Sequence, residues 1–63
     1  ILRALEAGPA DSTALAGAIY AGLAPVLLAA AARNVFAHLL DLEARNVVAC
    51  AGTPGFRQPY RLT

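Results

Sequence analysis

The 63-residue chain has few side chains that can do chemistry. His38 and Cys50 are its soft metal ligands, and Asp41 and Glu43 are the acids nearest them in sequence. A zinc site needs at least three protein ligands in a converging geometry, which usually shows as a fixed spacing. These residues follow no such spacing. Ser12 or Thr13 would need a paired base to act as a nucleophile. Neither makes a recognisable pattern with His38, and both precede a helical run, where hydroxyls and carboxylates cap. Cys50 lies in a short β run with nothing in sequence to activate its thiol. No glycine-rich phosphate loop is present. The residues therefore predict no catalytic group, no metal ligand and no cofactor in this chain. His38 is expected beside a buried stripe, in a hydrogen bond or a contact between domains.

The polar residues that could meet a nucleic acid are Arg33, Asn34, Arg57 and Arg61. Arg33 and Asn34 would face base edges, and Arg57 and Arg61 share one side of a strand and would touch the backbone. Affinity for nucleic acid comes largely from neutralising phosphates. The net charge is only +1, Asp41 and Arg45 also lie on the outward helix face, and its alanines, Ala30 and Ala37, read almost nothing. Nucleic acid is thus a weakly supported partner.

The elements that would position these groups follow from periodicity. Ile1–Ala7 is the end of a helix, stopped by Gly8 and Pro9. Asp11 is a good N-cap for a second helix, whose buried stripe is expected to be Leu15 and Ile19, with Ala18 beside them. Tyr20 and Gly22 close it. Pro25 suits the first turn of a third helix, where its missing N–H costs nothing. Apolar residues then recur at Leu28, Ala31 or Ala32, Val35, Leu39 and Leu42, predicting an amphipathic helix from Pro25 to about Ala44. Phe36, Leu40 and Ala29 fall to one side of that stripe. Phe36, Leu40 and His38 are accordingly candidates for a domain or subunit interface.

The stretch from Ala14 to Ala32 has no charged residue and is near the length of a membrane span. The break at Gly22–Pro25 and a stripe that continues past Arg33 make it two abutting helices, so no membrane partner is expected. Asn46 can end the third helix in a left-handed conformation. Val47–Cys50 and Phe56–Leu62 then form a hairpin. Phe56, Gln58, Tyr60 and Leu62 lie on one side of its second strand, and Pro59 confines that strand to an edge.

Three helices followed by a β-hairpin make a mostly α, α+β winged helix. Residues 1–63 are expected to be one such domain. Because it starts at Ile1, the sequence looks like a piece of a longer chain with its first helix truncated. One cysteine excludes an internal disulfide and suits a reducing, cytoplasmic setting. Arginine as the sole long basic side chain, with abundant alanine, suggests a GC-rich bacterial source.

ILRALEAGPA, LAGAIYAGL, AAARNVFAHLLDLEA and a hairpin ending in PYRL resemble, in that order, the small C-terminal winged-helix domain of metallo-β-lactamase-fold hydrolases. The distinctive parts are Ile19-Tyr20, the run from Ala32 to Leu39, and Leu42-Glu43. Ala14 replaces an acidic residue frequent in that family, and Asn46 replaces a glycine. The family's zinc-binding HxHxDH motif has no counterpart here. The resemblance implies a zinc-dependent parent hydrolase, with zinc held outside this fragment. It further implies an accessory role, docking on the catalytic domain or a second subunit and helping substrate binding or dimerisation. A DNA-binding winged-helix transcriptional regulator is the alternative.

Overall fold

The computed structural model describes all 63 residues, Ile1–Thr63. Its elements are α1 (Leu2–Leu5), α2 (Ser12–Ile19), α3 (Pro25–Ala44), β1 (Val48–Cys50) and β2 (Tyr60–Leu62). Three helices and a two-stranded antiparallel hairpin are the expected winged-helix order.

Local chemistry sets most boundaries. The Asp11 carboxylate accepts from the Ala14 N–H at 2.8 Å, the expected N-cap of α2. Such a cap contributes about 1 kcal/mol. Pro25 occupies the first turn of α3. At the other end of α3, Asn46 takes φ +62. Its N–H donates to the Glu43 carbonyl at 3.0 Å, and the Val47 N–H donates to the Leu42 carbonyl at 2.9 Å. This pair of bonds satisfies carbonyls that the helix end would leave open, with asparagine in the left-handed position usually held by glycine. Leu42 and Val47, the residues that bond links, both pack against the core. Gly8, at φ +137, turns the chain after α1 in a conformation that side-chain-bearing residues avoid.

The core is formed by Leu5 of α1, Leu15 and Ala16 of α2, Ala32, Val35 and Leu39 of α3, Val48 of β1 and Tyr60 of β2. The α3 stripe is as its periodicity predicts. That of α2 is not: Ala18 and Ile19 are exposed. Every buried α2 residue lies between Ser12 and Ala16. The helix ends at Ile19 and the chain turns through Tyr20–Ala24, which leaves its last turn only partly covered. Ser12, expected at a capping position, is fully buried, and its hydroxyl has no hydrogen-bond partner.

The hairpin is shorter than the alternation suggests. β1 and β2 pair as Val48 with Leu62, Ala49 with Arg61 and Cys50 with Tyr60. Phe56–Pro59 belong to the connecting loop, not to the strand. Nor is β2 an edge strand at Tyr60. The Tyr60 N–H donates to the Ala10 carbonyl at 2.9 Å, and the Ala10 N–H returns a bond to the Tyr60 carbonyl at 3.0 Å. Pro59 is compatible with this because it stands just outside the ladder, where its missing donor is not needed. Below the hairpin, the Thr63 hydroxyl donates to the Asn46 carbonyl at 2.9 Å and ties the chain's end to the α3 stop.

The charge-free stretch divides as expected between α2, a turn at Gly22 (φ +88) and α3. By length and composition alone α3 could cross a membrane. Its continuation through Arg33, Asp41 and Glu43, with one stripe in the core, is the pattern of an amphipathic helix.

Candidate functional site

Two surface features stand out. The first is a groove where α2 begins, α3 runs past it and the hairpin loop folds over. Thr13, Pro25, Leu28, Ala29, Ala32, Arg33 and Phe56 line it, around a volume of about 300 Å³. Phe56 is its organising residue. The Arg33 guanidinium carbon stands 4.5 Å from the Phe56 ring centroid, within cation–π range. Phe36 meets the same ring edge-on, with centroids 5.7 Å apart and planes at 86°. Phe56 thereby fixes Arg33 and covers part of Phe36, which is half-buried. The chain's one ion pair is Arg45 with Asp41 at 3.2 Å, one helical turn apart on α3. Arg33 has no carboxylate within ion-pair distance, so its charge faces the groove and solvent.

The second feature is the corner between α2 and α3. Ile19, Tyr20, Leu23, Val26 and Leu27 are all exposed, Val26 by 76% and Leu27 by 55%. No charged residue occurs between Ser12 and Ala32. Exposed apolar residues gathered in one uncharged stretch mark a candidate interaction site.

The residues singled out in sequence lie apart from one another in several cases. Arg33 and Phe36 are brought together through Phe56. Asn34, Arg57 and Arg61 are exposed, and none makes a side-chain hydrogen bond or ion pair within the chain. His38 is exposed on α3 and makes no hydrogen bond within the chain, which leaves the contact between domains as the other expected role. Leu40 is 39% exposed, and Ala29 lines the groove. No group of three or more His, Cys, Asp or Glu side chains converges as a metal site would. The Cys50 thiol donates to the Gly52 carbonyl at 3.3 Å, closing the hairpin loop.

Sequence reasoning missed Phe56 as a packing hub and Tyr60 as the largest fully buried side chain. Alternation put both on one strand face, although Phe56 is in the loop. The Tyr60 hydroxyl donates to the Gly55 carbonyl at 3.4 Å. Burial pushes its phenol above the ordinary tyrosine range, with the neighbouring Cys50 adding to the rise and the Gly55 bond opposing it.

A family described as the β-lactamase-associated winged-helix domain matches residues 12–56. No curated protein and no solved structure matches the chain significantly. The match takes in α2, α3, β1 and the loop as far as Phe56, more than two-thirds of the chain, so the chain belongs to that family.

Proposed function

We propose, from its membership of the β-lactamase-associated winged-helix family, that this chain is the accessory domain of a metallo-β-lactamase-like hydrolase. It docks on the catalytic domain, shapes the rim of its active-site groove, and aids substrate binding or dimerisation. The reaction itself, and the zinc that would support it, belong to the catalytic domain. The setting is a bacterial cytoplasm. The observation that carries the docking role is the uncharged corner of Ile19, Tyr20, Leu23, Val26 and Leu27. Apolar area is stabilising to cover and costly to leave in water, at roughly 25 cal/mol per Å². Leu40, 39% exposed further along α3, is a separate apolar position that a partner could meet.

Val26→Glu with Leu27→Glu tests this reading against the catalytic domain that the proposal assigns as partner. Both side chains are exposed, so the 63-residue chain should melt within a few degrees of the unaltered one, as surface changes generally allow. Binding to the catalytic domain should weaken by more than about ten-fold, the size expected for central interface residues. Unchanged binding, or equal destabilisation of the isolated chain, overturns the docking role.

Duplex DNA is the competing partner, favoured by the exposure of Arg33, Asn34, Arg57 and Arg61. Arg45 is already paired with Asp41, which places an acid on the helix that would enter the groove. Gel-shift titrations at two salt concentrations separate the readings. A regulator binds at low salt and loses affinity steeply as salt rises, whereas an accessory domain of the kind proposed leaves duplex DNA unshifted.

A further inference from the structure

We propose that the groove under Phe56 binds a small apolar carboxylate. The apolar body lies on Pro25, Leu28, Ala29 and the Phe56 ring, and the carboxylate lies between the Arg33 guanidinium and the Thr13 hydroxyl. This inference stands apart from the docking role.

Three observations lead to it. First, the lining combines an apolar floor with a few polar groups at its edge, the usual make-up of a small-molecule site. About 300 Å³ is at the small end of such sites. It suits one aromatic ring with a short chain rather than a long acyl tail. Second, Arg33 is a cation without an anion. No acid lies within ion-pair distance of it, and no acidic residue lines the groove. Asp11 lies two residues before Thr13, and its carboxylate is engaged by the Ala14 N–H. Third, the Phe56 face at 4.5 Å favours a guanidinium position beside the groove before any ligand arrives. A pre-positioned planar fork loses less side-chain freedom on binding.

The same features choose among anions. One guanidinium balances one negative charge. A phosphate dianion would leave charge uncompensated against Leu28, Ala29 and Ala32, which is unfavourable. A neutral apolar molecule would leave Arg33 unpaired and gain only from burial.

The test is a titration of the isotope-labelled 63-residue chain with 3-phenylpropionate, and separately with its neutral amide, followed by amide chemical shifts. The acid should give saturable shifts confined to Thr13, Ala29, Ala32, Arg33 and Phe56. The amide should bind about ten-fold more weakly, the loss expected for one charge-assisted contact. Arg33→Gln, at an exposed position, should preserve the spectrum's dispersion, weaken the acid about ten-fold, and leave the amide unchanged. Equal binding of acid and amide overturns the proposal. So does acid binding indifferent to Arg33→Gln, and so do shifts that fail to saturate at millimolar acid or that map away from the groove. The acid-to-amide ratio is read on the unaltered chain, so it does not depend on how the variant folds.

Discussion

Leu39 and Leu27 are the same residue on the same helix, yet one has no exposed surface and the other is 55% exposed. The difference separates the two halves of α3. Its second half carries Val35 and Leu39 into a core built with Leu5, Leu15, Val48 and Tyr60, where α1, α2 and the hairpin converge. Its first turns carry Val26 and Leu27, which stand opposite nothing in this chain. Both halves are apolar in composition. Burial is therefore a property of what lies opposite, and the residue type supplies only the incentive. The apolar part of the chain that its own core uses is the structural half; the part left over is available for recognition.

The largest test of that contrast is Leu39→Ala against Leu27→Ala in thermal or urea denaturation. Removing a fully buried leucine costs about 2–5 kcal/mol. A single core of this size rarely supplies more than about 3–5 kcal/mol, so Leu39→Ala should leave much of the population unfolded. Leu27→Ala should stay within about 0.5 kcal/mol of the parent. Similar losses at both positions would erase the distinction between the halves.

A smaller effect sharpens it from inside the core. Ser12 is buried with an unpartnered hydroxyl, and its unsatisfied oxygen opposes the packing around it. Ser12→Ala should therefore stabilise the chain, by about 1 kcal/mol, because an unpaired buried polar group is costly to keep. A loss of stability would mean that the hydroxyl has a partner. The smallest effect concerns Tyr60 and appears only at high pH. Its folded-state pKa is raised by burial. Its contribution is thus fully present below the unfolded tyrosine value of about 10, and is lost as pH rises through the folded value. Urea midpoints from neutral to alkaline pH should fall more steeply above that point for the parent than for Tyr60→Phe. Parallel curves would place Tyr60 in contact with water.

Where one residue type acts within a turn or two of itself, the sequence was a sound guide. Asp11 caps α2, Pro25 opens α3, Asn46 stops it, and the spacing of Ala32, Val35 and Leu39 marks its inward face. Of these, only the stretch from Ala32 to Leu39 also carries the family resemblance, and Asn46 departs from it. The groove was half-visible. Arg33 stands out in the sequence for its charge and Phe36 for its position beside the stripe, but no signal within either segment joins them to Phe56. That junction needs the hairpin loop to return over α3, and Thr13 reaches the same place from α2.

What the sequence alone determined is the set of elements, their order, and the stripe of the longest helix, because hydrogen-bonding caps and helical periodicity act over a few residues. Tertiary structure decided which apolar residues are hidden. It left Ile19 in solvent and enclosed Tyr60. It made Ala10 a backbone partner of β2 at 2.9–3.0 Å and turned Phe56 from a strand residue into the clamp on Arg33. Each of these depends on the element that arrives opposite from a distant part of the chain, and no local pattern encodes that arrival.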